Sequence, residues 1–167
     1  MDLLIIRHAR AKDREQFAAT GQPDSERPLT AKGIRRMIKA ARGLRLLLPS
    51  IDVLVSSPLQ RAVETAQVLS DAYGGMPFIQ SGELAPDVGV GRVIDWLASQ
   101  RPESVLCIIG HEPDLGELLK SLILDPSKAP ATLKKGSATL VRFTGPVASG
   151  RGVLQWHYTA KALASPL

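Results

Sequence analysis

The chain has 167 residues, enough for one domain with a substantial core, and its 44% hydrophobic and 22% charged residues are a globular balance that excludes a disordered protein. A net charge of +5 favours anionic partners, and a single cysteine excludes an intramolecular disulfide. Because the apolar runs are too short for a membrane span and the N-terminus has no signal-peptide pattern, we expect a soluble cytoplasmic protein.

Strand and helix patterns alternate through the first half of the chain. Residues 3–6 are a short apolar run that predicts a buried strand, and a polar loop follows it. The next segment predicts an amphipathic helix between Thr30, a suitable N-cap, and Pro49. Residues 51–57 predict a second buried strand, and Ser57 is the expected N-cap of the helix after it.

The second half continues this alternation and ends differently. It predicts a short strand, a loop, a short helix, a third strongly apolar strand (104–110) and a further helix. Residues 137–145 and 152–159 alternate apolar and polar side chains, which predicts an antiparallel hairpin at a sheet edge. We therefore expect a three-layer α/β/α fold with a mostly parallel central sheet, built as one domain over 1–167 with its core at about 2–158 and a short C-terminal tail.

Two histidines and two arginines follow the three apolar strands. Arg7 and His8 end the first strand, Arg61 comes one helical turn after the second, and His111 ends the third. The carboxyl ends of parallel strands meet at one sheet edge, so these side chains should converge. Guanidinium groups match phosphate oxygens, and neighbouring cations keep an imidazole neutral and nucleophilic. The pattern predicts a phosphoryl-transfer site in which a histidine attacks phosphorus.

Four ordered segments, IIRHARAK, ERPLTAKG, VSSPLQRAVETA and IIGHEPDLGELL, resemble the histidine phosphatase superfamily with its phosphoglycerate mutase-like fold. Within it the chain most resembles the compact phosphohistidine phosphatases of the signal-inhibitory type. The resemblance implies that Arg7 is the signature arginine and His8 the phosphorylated nucleophile. It also implies that Arg61 is the second phosphate-binding arginine and that His111 contacts the phosphoryl group.

Two positions bear on how closely the chain follows the pattern of this family. Ala9 stands where the family usually has glycine after its Arg-His pair, a small change that we expect to be tolerated. Glu83 lies in the segment GELAP, where many superfamily members carry a glutamate that protonates the leaving group, so it is the candidate general acid. The alternative is that a phosphohistidine substrate needs no strong acid, since its imidazole is easily protonated.

The expected function is that of a metal-independent phosphatase with a phosphohistidine intermediate, acting in signalling on protein phosphohistidine. The short connections leave no room for a helical lid, which favours a phosphorylated protein as partner. The alternatives are a phosphatase of small phosphorylated metabolites such as sugar phosphates and nucleotides, and a non-catalytic phosphate-binding module. We expect no cofactor, no metal ion, no nucleic acid and no membrane as partner.

Several other residues receive structural interpretations. His157 lies in an alternating strand segment and is expected to be structural, and Cys107 lies in an apolar strand and is expected in the core. The first long helix carries four basic residues at spacings typical of a solvated face, with an interaction surface as the less favoured interpretation: Arg35, Arg36, Lys39 and Arg42.

Overall fold

The computed structural model describes residues 1–101 and 104–165, and its strands form one sheet in the order β3-β2-β4-β1-β5-β6. The strands are β1 (Asp2–Arg7), β2 (Val53–Ser56), β3 (Ile79–Gln80), β4 (Val105–Gly110), β5 (Ala138–Arg142) and β6 (Val153–Tyr158).

The sheet is parallel over four strands and antiparallel at one edge. β1 pairs in parallel with β4, β4 with β2, and β2 with β3. β5 runs antiparallel to β1, and β6 antiparallel to β5. This confirms the predicted mostly parallel sheet with a C-terminal antiparallel hairpin. In the β1–β4 register Arg7 lies opposite Gly110, so the residues that follow the two strands, His8 and His111, emerge side by side.

Helices cover both faces of the sheet. They are α1 (Arg14–Ala18), α2 (Ala31–Leu47), α3 (Gln60–Ala72), α4 (Val90–Ala98), α5 (Asp114–Leu122) and α6 (Ala160–Leu163), with 3-10 turns at Asp24–Glu26, Gly82–Leu84 and Pro126–Lys128. In the part of the chain described by the structure, no helix has the length and apolar character to cross a bilayer.

The alternation of side chains along β1 divides the core into two layers. Leu4 and Ile6 are fully buried against the layer that contains α2, α3 and α6, whereas Leu3 and Ile5 are fully buried against α4 and α5. A strand buried on both faces explains the continuous apolar run in the sequence. Cys107 lies in the first layer, as expected, and burial raises the pKa of its thiol above the usual value.

Local signals explain where some of the helices begin, and two segments differ from the prediction. Thr30 caps α2 as predicted, because its hydroxyl accepts the Gly33 N–H at 2.9 Å. The segment predicted as a polar loop before α2 contains α1, whose first turn is capped by Asp13 accepting from the Gln16 N–H at 3.0 Å. The residues after 158, predicted as a tail, form α6, and Leu163 is buried against α2.

Candidate active site

The structure brings four of the five predicted residues into one cleft at the carboxyl ends of β1, β2 and β4. The cleft has a volume of about 810 Å³ and is lined by Arg7, His8, Arg61 and His111. His8 and His111 face each other with ring centroids 5.1 Å apart. The parallel register of β1 and β4 places these two rings together, since the His8 N–H donates to the Gly110 carbonyl at 3.1 Å.

The ring of His8 is oriented by a hydrogen bond to the backbone. It is 6% exposed, and its Nδ1 lies 2.7 Å from the Ala9 carbonyl oxygen. A carbonyl oxygen can only accept, so Nδ1 carries the proton and the neutral ring has its lone pair on Nε2. Burial, with smaller contributions from Arg61, Arg7 and Lys135, lowers the pKa of His8 from 6.5 to about 3, although the Ala9 bond opposes this. His8 is therefore neutral at physiological pH.

The second histidine is equally buried and is held by a hydroxyl group. His111 is 4% exposed, and its Nε2 lies 2.7 Å from Ser57 Oγ. Burial first, then the neighbouring His8 and Arg61, lower the pKa of His111 to about 3. Its Nδ1 is buried without a hydrogen-bond partner in the described residues.

Ser57 is not the helix cap that the sequence predicts, because α3 begins at Gln60 and has no side-chain cap. Its hydroxyl instead accepts the Leu59 N–H at 3.3 Å and contacts His111. The Ser-Pro pair is a good cap signal, but the turn between β2 and α3 is two residues longer than the signal implies. Sequence reasoning therefore missed a residue that fixes the second histidine.

Arg7 is anchored by the segment that precedes β5. Its Nη1 donates to the Leu133 carbonyl at 2.6 Å, and the Leu133 N–H in turn donates to the Glu112 carboxylate. Burial lowers the pKa of Arg7 below its usual value, and the charge of Glu112 opposes this. The Nε of Arg7 is buried without a partner among the described residues.

Arg61 is anchored by Asp24, a residue that the sequence analysis did not single out. Arg61 is 3% exposed; its Nη1 donates to the Asp24 carbonyl oxygen at 2.9 Å and its Nη2 lies 3.2 Å from the Asp24 carboxylate. The same carboxylate accepts from Arg27 Nε at 2.7 Å. Burial raises the pKa of Asp24, but Arg27, Arg61 and Arg14 outweigh it, so the pKa lies below 3.8 and the carboxylate is ionised.

The backbone after His8 is fixed from α3. The N–H of Ala9 donates to Thr65 Oγ1 at 3.1 Å, and the Thr65 hydroxyl donates to the Arg61 carbonyl at 2.7 Å. Ala9 is itself 3% exposed. This connection ties the loop that carries His8 to the helix turn that carries Arg61.

Three buried nitrogens of the cleft residues have no hydrogen-bond partner in the described part of the chain: Arg7 Nε, Arg61 Nε and His111 Nδ1. A buried donor without an acceptor is unfavourable, and an oxyanion with several lone pairs would satisfy such groups at once. Arg7 is anchored through Nη1 and Arg61 through Nη1 and Nη2, and each guanidinium has further N–H groups beyond these contacts. The arrangement can hold a phosphoryl group beside a neutral imidazole with a free lone pair.

Glu83 lies outside the lining of this cleft. Its carboxylate accepts from Arg92 Nη2 at 2.8 Å and Nε at 3.2 Å, and it borders a smaller cavity that His111 also lines. Its role as general acid stays a prediction. The carboxylates that do line the cleft were not predicted from the sequence: Asp13, Asp87, Glu112 and Asp114.

His157 lies apart from the cleft, on the edge strand β6. Its Nδ1 is 2.8 Å from the Thr139 hydroxyl on β5, so the ring bridges two strands. Burial lowers its pKa below 6.5. This placement agrees with the structural role expected for it.

Comparison with known proteins identifies relatives along the whole chain. The family model of the histidine phosphatase superfamily (branch 1) matches residues 3–92. An uncharacterized protein of Picosynechococcus sp. is 34% identical over 160 residues, which cover 94% of this chain and 90% of that protein. The 5''-phosphoribostamycin phosphatase of Niallia circulans is 36% identical over 88 residues, 51% of this chain and 40% of its own length.

The fold also matches a solved structure over nearly its full length. The protein histidine phosphatase SixA, solved in complex with tungstate, superposes with a TM-score of 0.81 at 27% identity, covering 98% of this chain and 99% of that one. The match extends beyond the segment recognised by the family model and includes the C-terminal hairpin.

Proposed function

The chain belongs to the histidine phosphatase superfamily and is a phosphatase, and on that premise we propose that it removes phosphate from protein phosphohistidine through a covalent intermediate on its own His8. The observation that carries the proposal is the state of His8: a buried, neutral ring with its lone pair on Nε2, set beside two arginines and a second histidine. This is the arrangement required for nucleophilic attack on an anionic phosphoryl group.

The first step transfers the phosphoryl group to the enzyme. The Nε2 lone pair of His8 forms a bond to phosphorus while the bond between phosphorus and the substrate nitrogen breaks. The leaving imidazole takes up a proton, from solvent or from the candidate acid Glu83. Arg7, Arg61 and His111 donate to the phosphoryl oxygens and stabilise the charge that they carry in the transition state.

The second step returns the enzyme to its starting state. Water attacks the phosphorus of phosphorylated His8, the P–N bond breaks and phosphate leaves. The low pKa of His8 assists here, because its imidazole leaves readily as the neutral ring that burial favours. The arginines hold the phosphoryl oxygens through both steps.

The segments around the cleft support a protein substrate. Between β1 and α2 the chain holds one five-residue helix and one 3-10 turn, and residues 81–89 hold one more turn. The expectation that the connection between β1 and α2 has no room for a helix is wrong, since α1 lies in it and Arg14 and Gln16 of α1 line the cleft. With only five residues α1 is smaller than a helical lid, which favours access by a side chain on another protein. The similarity to SixA, described as a protein histidine phosphatase, supports the same substrate class.

A second candidate function is the hydrolysis of a small phosphoester. Its support is the relative from Niallia circulans, whose name describes the removal of a phosphate ester from a small molecule. The same His8, Arg7 and Arg61 chemistry would serve, with a proton donor for the poorer alkoxide leaving group.

The deciding experiment compares kcat/KM for a histidine-phosphorylated protein with kcat/KM for sugar phosphates, nucleotides and p-nitrophenyl phosphate. We expect the phosphohistidine protein to be the best substrate. A clear preference for a small phosphoester would overturn the proposed substrate and favour the second candidate.

A further inference from the structure

A second concave surface adjoins the cleft on the side of α2 and carries six exposed cationic side chains. This basic groove has a volume of about 880 Å³ and lies between α2, the segment before β5 and α6. Its exposed cations come from four separate parts of the chain: Arg10, Arg36, Lys39, Lys134, Lys135 and Lys161.

Within the part of the chain that the structure describes, the charge of the groove is not compensated. Within residues 1–101 and 104–165, no Asp or Glu lines it and none of its cations forms an ion pair. Like charges gathered on one concave surface repel one another, which is unfavourable unless an anion is bound. The groove is therefore suited to an anionic ligand.

The groove is continuous with the cleft. Both are lined by Arg7, Arg10 and Lys135. Burial lowers the pKa of Lys135, as do Arg7, Arg10 and Arg27, which shows how closely the cations gather where the two surfaces join. A ligand in the groove would lie directly next to a phosphoryl group bound at His8.

The four basic residues of α2, which the sequence predicts as one solvated face, border different surfaces in the structure. Arg36 and Lys39, three residues apart, line the groove. Arg42 lines a different depression with apolar walls, and Arg35 borders neither of these surfaces. Arg36 and Lys39 are therefore the two basic residues of α2 that favour an interaction surface over a merely solvated face.

The lining also bears on the kind of anion. Apart from its cations the groove presents small and hydroxyl-bearing residues and Met37, with no aromatic side chain on which a nucleic acid base would stack. A flat bilayer surface does not fit a concave groove. Carboxylates spaced along an extended peptide do fit, since they can meet cations on both walls.

We propose that the basic groove binds an acidic segment of the phosphorylated protein substrate, next to its phosphohistidine. This inference rests on the proposed function and adds to it the class of sequence that surrounds the substrate histidine. Exposed ion pairs are individually weak, so the groove selects substrates through several of them together.

The test uses synthetic phosphohistidine peptides of one length, phosphorylated chemically. One peptide carries four Glu residues on the N-terminal side of the phosphohistidine, and a second carries four Glu residues on the C-terminal side. A third carries Gln at all of these positions. At low ionic strength we expect one acidic peptide to exceed the Gln peptide by about five- to tenfold in kcat/KM, a ratio that added salt reduces.

The variant Arg36→Glu/Lys39→Glu should remove this preference and leave p-nitrophenyl phosphate turnover within about twofold. The matched control, Arg35→Glu/Arg42→Glu, changes the charge of the same helix by the same amount and should keep most of the preference. Equal loss in both variants would show a general effect of net charge and overturn the proposal, as would the absence of any acidic preference in the wild type.

Failure of the proposed function gives a different result. If p-nitrophenyl phosphate is hydrolysed and no phosphohistidine peptide is, the proposed substrate is wrong. The groove is then tested by competition with the unphosphorylated acidic peptides. Inhibition that Arg36→Glu/Lys39→Glu relieves and Arg35→Glu/Arg42→Glu retains would support an acidic protein ligand, and equal or absent inhibition would overturn it.

Discussion

Asp24 contacts Arg61 twice, through its backbone carbonyl at 2.9 Å and its carboxylate at 3.2 Å, and so fixes the guanidinium from outside the cleft that His8 lines. Because Arg61 is almost completely buried, its orientation depends on this partner. The relationship joins a 3-10 turn near the N-terminus to the first turn of α3 and gives Asp24 a positioning role.

Replacing Asp24 tests that role. We expect Asp24→Ala to lower kcat/KM by about ten- to a hundredfold, because a misplaced Arg61 no longer meets the phosphoryl oxygens. Asp24→Asn, which can keep the polar contact without the charge, should recover part of the loss. Asp13→Asn is the control, since Asp13 lines the same cleft and its carboxylate caps α1. Similar losses in Asp24→Ala and Asp13→Asn would argue against a specific role for Asp24.

His8→Ala should abolish turnover, by a factor on the order of a thousand or more, because no other neutral nucleophile is held in its place. Acid- and base-quenched reactions with labelled substrate should show a base-stable phosphoryl-enzyme in the wild type and none in the variant. His157→Ala is the matched control and should retain activity. Tungstate binding should persist in His8→Ala through Arg7 and Arg61. Turnover by His8→Ala near the wild-type level would contradict the role of His8 as nucleophile.

Two adjacent serines provide a test of how His111 is oriented. Ser57→Ala removes the hydroxyl that lies 2.7 Å from His111 Nε2, and we expect kcat/KM to fall by about tenfold. Ser56→Ala removes a buried hydroxyl with no hydrogen-bond partner in the described residues, so it should leave activity unchanged and stability equal or higher. Equal effects of the two changes on kcat/KM would show that the Ser57 contact has no special role.

The buried histidines should make the protein less stable in acid. The pKa of His8 is about 3 in the folded chain and 6.5 in the unfolded chain, so the unfolded state binds more protons and stability falls as the pH drops below 6.5. The free energy of unfolding should lose on the order of 1 kcal/mol per pH unit for each of the two histidines until about pH 3.

Urea unfolding of the wild type and His8→Gln at pH 7, 6 and 5 measures this dependence. Other groups titrate in both proteins, so the informative quantity is the difference between them. We expect the free energy of unfolding of the variant, relative to that of the wild type, to rise by about 1 kcal/mol for each pH unit below pH 6.5. A difference independent of pH would mean that His8 is protonated with its ordinary pKa in the folded state.

Glu83 is tested by the nature of the leaving group. An alkoxide needs a proton to leave, whereas p-nitrophenolate does not, so Glu83→Gln should slow an alkyl phosphate by about tenfold or more and leave p-nitrophenyl phosphate nearly unchanged. Arg92→Gln, which removes the partner of the carboxylate at 2.8 Å, serves as the companion variant. Unchanged hydrolysis of both substrates by Glu83→Gln would remove Glu83 from the mechanism.

The residues at strand ends could be predicted because the signal is local. A run of four apolar residues predicts the buried strand β1, and Arg7 and His8 follow directly where this run ends. The same reasoning located His111 after β4. Parallel pairing then places these strand ends at one edge of the sheet, independently of the conformation of the loops between them.

The partners of these residues could not be predicted because they are distant in sequence. Arg61 and Asp24 are 37 positions apart, His111 and Ser57 are 54 apart, and Arg7 and Leu133 are 126 apart. No periodicity connects such pairs, and the partner of Arg7 is a backbone carbonyl that any residue could supply. Ser57 even carried a misleading local signal, since a serine before proline is a common helix cap.

The position of β1 between β4 and β5 has a consequence for synthesis on the ribosome. The strand that ends at Arg7 is made before the other five strands, but its neighbours, Val105–Gly110 and Ala138–Arg142, are made about a hundred or more residues later. Before Val105–Gly110 has been translated, β1 has no partner strand on either side, and before Ala138–Arg142 has been translated it still lacks one of its two neighbours. A nascent chain should therefore acquire phosphatase activity in one late step, and folding should be slowed by these distant pairings.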